Sequence, residues 1–416
     1  MRILVIGSGA REHAIVKSLK REGGHTLYAS PGNAGIAEDA EIVQLDVQNG
    51  REITRFAQEQ DIALVIVGPE APLIAGAVND PRERGIAVFG PSRDAAQLEG
   101  SKTFAKEIMC EAGVPTGGAV RASSIQEVIE AMGEFGAPYV IKADGLAAGK
   151  GVLVTEDSQE AQAHAMHWLE RGAVLVEEFL EGREVSLFFI SDGDDLISLS
   201  PAQDYKRLQD ADVGPNTGGM GAYSPVPWIA EAFGSEAEFI AQVKAQVAQP
   251  VINVMNERGT PFVGLLYCGL IVNGTTIKVI EFNARFGDPE TQVILPRLKT
   301  PLSELLFAAA TGTLGTKPPA EFSDSSAVTV VLASGGYPTE NSEPVPLGGL
   351  ENLQGVDVIH AATMKQDGAL YSAGGRVLNI VATADSLEAA REVIYSQIDK
   401  VGFPGVQYRS DIAELS

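Results

Sequence analysis

The sequence predicts a multidomain chain that combines α/β and α+β units and begins with an open parallel α/β sheet. With 416 residues, it is longer than a single hydrophobic core usually supports. Residues 1–100 alternate short apolar strands with helical segments, the pattern of a parallel sheet covered on both faces. A polar segment at 315–326 then separates a compact α+β unit, 327–416, at the end of the sequence. The length suggests two to four domains, and we predict three.

The N-terminal unit is predicted to bind a ligand at the edge where its strands end. Each strand runs into a turn rich in glycine or proline, and open α/β sheets bind ligands at the carboxyl ends of their strands. The predicted strands are 3–6, 26–29, 63–67 and 86–89, and the predicted helices are 12–21 and 53–60.

The middle of the chain is predicted to hold a small α+β module and a hairpin. A helix at 92–113, with Ser101 capping one of its turns, leads into short strands and helices at about 115–185. Farther on, Asn273-Gly274 is typical of a two-residue hairpin turn between apolar strands. The predicted domains are 1–101, 102–315 and 327–416.

Charge and composition exclude several kinds of partner. The net charge of −24 gives a surface that repels nucleic acid and anionic membranes. No apolar run approaches the ~20 residues of a membrane span. Cys110 and Cys268 stand far apart in apolar surroundings, which predicts buried free thiols in a reducing cytoplasm and no disulfide or zinc site. Small anionic ligands remain possible at sites built locally from basic groups and metal.

A metal site is predicted on the return strand of the hairpin. Side chains alternate along a strand, so Glu281 and Asn283 share one face while Ile280 and Phe282 share the other. A carboxylate beside an amide oxygen suits Mg²⁺, which is usually held by one or two protein oxygens together with substrate phosphates. The alternative is an edge strand with solvated polar residues, and the apolar opposite face disfavours it.

The turn after the first strand, at 7–9, is similar to a dinucleotide-binding fingerprint but departs from it. Glu12 stands where the third glycine belongs, and the second strand ends without an acid for the ribose, so no nicotinamide cofactor is expected. A glycine turn, a helix start and Arg11 still suit an anion, and a sugar phosphate is the preferred occupant. A plain strand-to-helix turn is the alternative.

Two other glycine-rich segments predict close approach of a ligand. The loop at 142–151 is not a P-loop, because three residues separate Gly145 from Gly149 and Gly151 replaces the metal-binding hydroxyl residue. Its small residues can still fold over phosphates, and Lys142 at its start can meet them. The segment 214–221 has more glycines than a structural turn requires, which favours backbone contact with a ligand.

In this order, the segments resemble those of the ATP-grasp ligases, and within them the phosphoribosylamine–glycine ligase family, also called glycinamide ribonucleotide synthetases. The resemblance extends over essentially the whole chain, and its pieces are far more specific together than singly. They are 9–13, 31–35, 67–73, 100–102, 142–151, 215–225, 281–290 and 374–377.

The resemblance implies an ATP-grasp core, with a lid at about 115–185, that joins glycine to 5-phosphoribosylamine in purine biosynthesis. Glycyl phosphate is the implied intermediate, Mg²⁺ or Mn²⁺ the implied metal, and a monomer is expected. Glu281 and Asn283 are the implied metal ligands. The implied ATP-binding residues are Lys102, Lys142, Gly145, Ala148, Gly149, Lys150, Gly151, Glu177, Glu178, Phe179, Leu180 and Glu184.

The resemblance also implies a substrate site shared by several segments. Arg285 is expected to anchor the carboxylate of glycine, and the N-terminal turn with Arg11 and Glu70 is expected to hold phosphoribosylamine. Arg285, Lys142 and Asp288 are the implied catalytic residues. The implied substrate-binding residues are Gly9, Arg11, Gly32, Asn33, Glu70, Asn216, Thr217, Gly218, Gly219 and Arg285.

The sequence departs from the family pattern at two places, and three other functions are alternatives. Ala10 replaces a usual glycine, and 261–272 holds no second metal carboxylate, so Asp288, Glu290 or the phosphates must complete the metal shell. A carboxyaminoimidazole ribonucleotide synthetase would share the ATP site but not the 214–221 motif. A dehydrogenase is disfavoured by the broken fingerprint, and a non-catalytic nucleotide-binding regulator would release no ADP in response to glycine.

Overall fold

The computed structural model describes the chain except for residues 147–150, 341 and 416. Within the described part, the predicted succession of an open sheet, a small module, a long hairpin and a final α+β unit is present. No helix there is long and apolar enough to span a bilayer. Three residues predicted to bind ATP lie outside the described residues: Ala148, Gly149 and Lys150.

The N-terminal sheet is open and fully parallel, as predicted. Its elements are β1 (Arg2–Gly7), α1 (Ala10–Glu22), β2 (Thr26–Pro31), α2 (Ile36–Asp39), β3 (Glu41–Ile42), α3 (Gly50–Glu59), β4 (Leu64–Val67), α4 (Glu70–Ala75), α5 (Asn79–Glu83) and β5 (Val88–Phe89). The strand order is β3-β2-β1-β4-β5, so β1 is central and its apolar residues are buried from both faces. The order reverses beside β1, and open α/β sheets bind ligands at such a switch point.

The predicted helix at 92–113 is broken into two helices, α6 (Gln97–Gly100) and α7 (Lys102–Glu111). Ser101 ends the first and caps the second, since its hydroxyl accepts the backbone N–H of Phe104. Cys110, predicted to be buried, is exposed on α7, whereas Cys268 is buried, and both thiols are free.

The small module predicted at about 115–185 is an antiparallel sheet covered by two helices. Its elements are β6 (Ala119–Ala122), α8 (Ile125–Phe135), β7 (Tyr139–Ala143), β8 (Val152–Thr155), α9 (Ser158–Leu169) and β9 (Val174–Glu177). The strand order is β6-β9-β7-β8, and the module has a hydrophobic cluster of its own. The loop between β7 and β8 is the one predicted to cover phosphates.

The central sheet carries the predicted hairpin and is followed by a helical layer. The segment contains β10 (Arg183–Asp192), β11 (Leu196–Ser198), β12 (Gln203–Asp204), β13 (Arg207–Gln209), β14 (Val213–Asn216), β15 (Gly221–Ser224), α10 (Pro227–Phe233), α11 (Glu236–Val243), α12 (Gln249–Glu257), β16 (Val263–Asn273), β17 (Thr276–Asn283), α13 (Thr291–Ile294) and α14 (Leu302–Ala310). The sheet order is β11-β10-β16-β17, all antiparallel. A π-helical turn at Lys244–Ala248 precedes Pro250, which has no N–H to continue the helical ladder.

The C-terminal unit shares its main sheet with strands from the middle of the chain. Its elements are β18 (Ser326–Ala333), β19 (Asp357–His360), β20 (Thr363–Gln366), β21 (Ala369–Ser372), β22 (Arg376–Ala384) and α15 (Leu387–Ile398). Its main sheet has the order β12-β15-β18-β22-β19, so two strands come from the middle of the chain. β15 begins at the end of the glycine-rich 214–221 segment, which therefore runs directly into the C-terminal sheet.

Candidate active site

One cavity of about 410 Å³ collects residues from all three parts of the fold. The N-terminal unit contributes Arg11 and Glu70, and the C-terminal unit contributes Tyr337 and Arg376. Much of the remaining lining comes from α7, the lid with its loop, and the segment from β17 to Glu290. Thirteen residues predicted for the site line this cavity: Arg11, Glu70, Lys102, Lys142, Gly145, Gly151, Glu177, Thr217, Gly218, Glu281, Asn283, Arg285 and Asp288.

Two lysines and one carboxylate form the floor of the cavity beneath the lid. Lys142 Nζ lies 3.0 Å from Glu177 Oε2, and Lys106 Nζ lies 3.2 Å from the same oxygen. Lys142 also donates to the carbonyl of Ile280 on β17. Burial lowers the pKa of Lys106, opposed by Glu177. Two cations that share one carboxylate leave an excess of positive charge, which suits phosphate groups.

The start of the lid loop is tied to the N-terminus of α7. Asp144 accepts the backbone N–H of Lys102 at 2.8 Å and the hydroxyl of Thr103 at 2.6 Å. The ammonium group of Lys102 in turn donates to the carbonyl of Gly145 at 3.2 Å. The helix N-terminus is thus satisfied by a protein carboxylate. These contacts place Lys102 at the entrance of the loop, beside the cavity.

The predicted metal pair lines the cavity, but the strand that carries it is irregular. Glu281 and Asn283 both face the cavity, as expected from their spacing. Gly269 pairs with Glu281 while Leu270 pairs with Val279, so Ile280 is the extra residue of a β-bulge. The prediction that Ile280 and Phe282 share the opposite face is therefore wrong in part, because the bulge breaks the alternation of side chains at Ile280 and both residues contribute to the cavity lining.

In the part of the chain that the structure describes, no metal cluster built from protein ligands alone accompanies this pair. Among the described residues, no three His, Cys, Asp or Glu side chains come close enough together to hold a metal ion. A carboxylate and an amide oxygen fit a hard cation that takes its other ligands from phosphate and water, as Mg²⁺ does. The donor set of Glu281 and Asn283 therefore fits a metal bound together with a nucleotide.

Arg285 is held by two carboxylates, one predicted and one not. Its Nε lies 3.3 Å from Glu70 Oε2, and its Nη2 lies 2.9 Å from Glu99 Oε1. Burial works to lower the pKa of Arg285, but the two carboxylates outweigh it and raise the pKa above its ordinary value. For Glu70, burial is outweighed by Arg285 and Arg11, and the pKa falls to about 2. Arg285 is therefore a fixed cation whose orientation is set on two sides.

Arg11 and Arg376 meet the segment after β17 from opposite domains. Arg11 Nη1 donates to the carbonyl of Phe286 at 3.1 Å, and its Nε lies 3.9 Å from Asp288 Oδ2. Arg376 Nη1 lies 3.3 Å from Asp288 Oδ1. Burial would raise the pKa of Asp288, but Arg376 and Arg11 outweigh it and lower the pKa. Asp288 is thus an anionic link between the N-terminal and C-terminal units at the cavity wall.

The N-terminal glycine turn is filled by a protein side chain. Glu12 Oε2 accepts the N–H of Gly9 at 2.5 Å, and a Cβ added at Gly7 or Gly68 would collide with Glu12. Burial raises the pKa of Glu12 to about 7, opposed by Arg11. Glu12 thus occupies the space that the third glycine of a dinucleotide fingerprint keeps open. It also takes the N–H group that an anion at Gly9 would use.

A cluster of polar side chains from the central part of the chain forms one side of the cavity. Lys206 Nζ lies 2.9 Å from both Asp204 Oδ1 and Glu184 Oε2. Tyr267 donates its hydroxyl to Glu290 Oε1 at 2.9 Å. Burial, and then the charge of Asp204, raise the pKa of Glu290 to about 7. Glu184 itself lies in a smaller depression that shares Lys206, and not in the main cavity.

Comparison with protein families accounts for this arrangement. Family models of phosphoribosylglycinamide synthetase match three stretches: the N domain over 1–99, the ATP-grasp (A) domain over 100–291 and the C domain over 327–415. The chain belongs to the phosphoribosylglycinamide synthetase family. It is therefore an ATP-grasp ligase that forms a carbon–nitrogen bond, joining glycine to phosphoribosylamine in purine biosynthesis with ATP and a divalent metal ion.

Individual members of the phosphoribosylglycinamide synthetase family are similar over their full lengths. The phosphoribosylamine–glycine ligase of Leifsonia xyli subsp. xyli is 57% identical, with 99% of each chain covered. That of Streptomyces coelicolor is 52% identical, again with 99% of each covered. The crystal structure of phosphoribosylamine–glycine ligase from Thermotoga maritima is 32% identical, with a TM-score of 0.84 and coverage of 99% of this chain and 100% of that one.

More distant structures share only the fold with this family member. N5-carboxyaminoimidazole synthetase from Staphylococcus aureus, complexed with ADP, is 14% identical with a TM-score of 0.68, over 95% of this chain and 96% of that one. The chain therefore shares the fold of this carboxyaminoimidazole synthetase but not the high sequence identity that it has with the glycine ligases. This difference disfavours the rival prediction of a carboxyaminoimidazole ribonucleotide synthetase.

Several residues predicted for the family's sites are not brought into the cavity. Asn33 donates its amide to the carbonyls of Ser8 and His360 and accepts the N–H of Gly35, so its side chain joins the N-terminal and C-terminal units. The backbone N–H of Gly9 is already bonded to the carboxylate of Glu12. The predicted residues outside the cavity lining are Gly9, Gly32, Asn33, Glu178, Phe179, Leu180, Glu184, Asn216 and Gly219.

Sequence reasoning missed several residues that line the cavity. Lys106 follows Lys102 by four positions on α7, and this helical spacing was a signal that could have found it. Glu99 and Tyr337 carry no local signal, because they reach the cavity from segments far apart in sequence, whereas Arg376 lies in the 374–377 segment of the family resemblance but was assigned no role from it. The missed lining residues with polar side chains are Glu99, Lys106, Asp204, Lys206, Tyr267, Tyr337 and Arg376.

Proposed function

We propose that this cavity ligates glycine to 5-phosphoribosylamine through a glycyl phosphate intermediate. A carboxylate oxygen of glycine attacks the γ-phosphorus of ATP, and the bond from that phosphorus to the bridging oxygen of ADP breaks. The amino group of phosphoribosylamine then attacks the acyl carbon, inorganic phosphate leaves and one proton departs from the nitrogen. The products are glycinamide ribonucleotide, ADP and phosphate.

The observation that carries this proposal is one cavity in which a lysine cluster and a fixed arginine flank an acid–amide pair. Lys102, Lys106 and Lys142 supply the positive charge for the phosphates of ATP at the lid side. Phosphoryl transfer needs positioning and charge neutralisation more than a covalent side chain. None of the described lining residues is therefore required as a nucleophile.

Glu281 and Asn283 are the proposed ligands of Mg²⁺. When bound, Mg²⁺ neutralises phosphate charge and favours the leaving of ADP. The protein contributes one carboxylate and one amide oxygen at this position, with Asp288 and Glu290 also in the lining. Mn²⁺ prefers the same oxygen ligands and is a second candidate.

Arg285 is the proposed anchor for the carboxylate of glycine. Its guanidinium is turned into the cavity by Glu70 and Glu99. The sugar phosphate is proposed to lie near Arg11, Thr217 and Gly218, and not at the N–H of Gly9, which Glu12 occupies. Closure of the 115–185 lid would keep water from the acyl phosphate. A monomeric state, a cytoplasmic location and the lack of nucleic-acid or membrane partners stay predictions.

A coupled assay of ADP release tests the proposal. ATP turnover is measured with glycine and phosphoribosylamine added separately and together, and glycinamide ribonucleotide is followed by mass spectrometry. We expect full turnover only with both substrates, with one ADP formed for each product. Oxygen-18 in the carboxylate of glycine should appear in the released phosphate, because the acyl carbon–oxygen bond breaks. Retention of all the label in the product amide would contradict the intermediate.

A further inference from the structure

Two side chains of the C-terminal unit grip the backbone of the glycine-rich segment at the cavity. Arg376 Nη1 donates to the carbonyl of Gly218 at 2.6 Å and contacts that of Gly219 at 3.3 Å. The same nitrogen lies 2.9 Å from the carbonyl of Asp288. Tyr337 accepts the N–H of Gly218 at 2.7 Å through its hydroxyl oxygen. One arginine and one tyrosine thus hold two separate segments of the cavity wall.

The backbone contacted by Arg376 and Tyr337 belongs to Gly218 and Gly219, which have no side chains to stabilise its conformation. Gly219 has a φ of +108°, and a Cβ there would collide with the ring of Pro289. Glycine in such a conformation loses more chain entropy on ordering than any other residue, so the conformation must be stabilised from outside. Thr217 supplies one local contact, since its hydroxyl accepts the N–H of Gly219. The other hydrogen bonds of Gly218 and Gly219 come from the C-terminal unit, while the flanking Thr217 and Met220 are held by the backbone carbonyls of Lys206 and Tyr205.

The Gly374-Gly375-Arg376 segment brings the Tyr337 hydroxyl and the Arg376 guanidinium to the same place. The Tyr337 ring packs directly on the backbone of Gly375, where a Cβ would collide with it. Ser334, three residues before Tyr337, donates its N–H to the carbonyl of Gly375 at 2.8 Å. Arg376 follows as the first residue of β22. The tyrosine and the arginine therefore approach the same glycine pair from two segments that are hydrogen-bonded and packed together.

We propose that Arg376 and Tyr337 are positioning residues for the half of the reaction that uses phosphoribosylamine. They hold the backbone at Gly218 and the segment at Asp288 in the geometry that receives this substrate, while the nucleotide half of the cavity is built without them. Fixed backbone groups contribute to catalysis because they need no reorganisation in the transition state. This inference rests on the proposed function and assigns a positioning role to the C-terminal unit.

Steady-state kinetics of three variants tests the inference. Arg376→Ala and Tyr337→Phe should each raise the KM for phosphoribosylamine and lower kcat, with kcat/KM falling about tenfold or more for the arginine. Arg376→Lys keeps a cationic donor on a shorter side chain, so it should restore activity only in part, because all the contacts of Arg376 come from its terminal Nη1. Calorimetric affinity for ADP with Mg²⁺ should stay within about twofold of wild type, since the lysine end is untouched.

Matched control variants separate positioning from stability. Arg391 also donates to backbone carbonyls within the C-terminal unit, at 3.1 and 2.7 Å, but it lies away from the cavity. Tyr395 likewise uses its hydroxyl on a backbone carbonyl, at 2.7 Å. Arg391→Ala and Tyr395→Phe should lower the melting temperature at least as much as the test variants, with kinetic constants of the wild type.

The outcomes distinguish this inference from the function on which it rests. If the wild-type protein fails to turn over glycine and phosphoribosylamine, the proposed function is wrong. If the wild type is active and Tyr337→Phe and Arg376→Lys both keep wild-type KM and kcat, only the positioning role is wrong. An equal loss of ADP affinity and phosphoribosylamine use would also overturn it. Gly375→Ala, which displaces the tyrosine ring, should reproduce the effect of Tyr337→Phe.

Discussion

Arg285 Nη2 lies 2.9 Å from Glu99 Oε1. This ion pair joins the segment that follows β17 to α6, the short helix before α7. Glu99 also accepts the backbone N–H of Ala284 at 2.8 Å through its other oxygen. The carboxylate therefore fixes both the side chain and the backbone of the segment that carries the proposed glycine anchor. No motif marked Glu99, yet it makes the shortest ion pair of Arg285.

Removal of Glu99 is expected to destabilise the protein. Glu99→Ala leaves a buried guanidinium and a backbone N–H without this partner, which should lower the free energy of unfolding by about 3 kcal/mol. Urea denaturation followed by circular dichroism measures the change. Glu111→Ala is the control, because Glu111 pairs with Arg258 at the exposed surface and should cost less than about 1 kcal/mol. Equal stability of the two variants would contradict the importance of the buried pair.

Replacement of the proposed metal carboxylate should separate activity from folding. Glu281→Gln should lower kcat by about a hundredfold or more, because a neutral amide is a weak ligand for Mg²⁺. The melting curve should stay close to that of the wild type, and the Mg²⁺ concentration needed for half-maximal activity should rise. Lys278→Gln, on the same strand, serves as the control and should keep normal turnover. Wild-type activity of Glu281→Gln would remove the metal assignment.

The two ends of the cavity should respond independently to loss of their cations. Lys142→Ala should weaken ATP binding or phosphoryl transfer, and Arg11→Ala should raise the KM for phosphoribosylamine. Each charge-assisted contact is worth about 1.5–3 kcal/mol, or about ten- to a hundredfold. Isothermal titration with an ATP analogue and steady-state kinetics give the two quantities.

The double variant of Lys142 and Arg11 provides the check on this division. If the two residues serve different ligands, their effects on kcat/KM should add within about 0.5 kcal/mol. A tenfold loss of ATP affinity in Arg11→Ala, with normal use of phosphoribosylamine, would instead place Arg11 in the nucleotide site.

A buried histidine pair between the N-terminal and C-terminal units should make stability depend on pH. His360 donates its backbone N–H to His13 Nδ1 at 2.8 Å. Burial lowers the pKa of His13 to about 3 and that of His360 to about 4, from an ordinary value of 6.5. The unfolded chain therefore binds more protons below pH 6.5, and these residues make stability fall as the pH falls toward 4. Each contributes at most about 1.4 kcal/mol per pH unit.

The His13→Gln variant should show a shallower loss of stability than the wild type between pH 6.5 and 4. The difference between the two proteins is the relevant quantity, because the raised pKa of Glu12, about 7, acts in the opposite direction between pH 4.5 and 7. Urea midpoints at half-unit intervals of pH measure it. His167→Gln, at an exposed position of the lid, should follow the wild-type curve, and identical slopes for all three proteins would exclude the effect.

The sequence by itself determined the local elements and the family. Apolar runs, Ser101 and the Asn273-Gly274 pair predicted strands, a cap and a hairpin, because each depends on the periodicity or backbone preference of a few neighbouring residues. The hairpin turn itself lies one position later than predicted, at Gly274 and Thr275, since Asn273 still pairs with Thr276. The same spacing correctly placed Glu281 and Asn283 on one face. Motif order along the chain, a property of the sequence alone, was sufficient to indicate an ATP-grasp ligase.

Only the tertiary structure decided which side chains meet. Glu99 and Arg285 are 186 positions apart, and Arg376 is 158 positions from the glycine that it holds. No local pattern encodes such contacts, because they depend on how the three units pack. The bulge at Ile280 and the filling of the glycine turn by Glu12 also follow from packing against neighbouring strands. The merging of β15 with the C-terminal sheet has the same origin: strand pairing joins backbone groups without regard to their distance along the sequence.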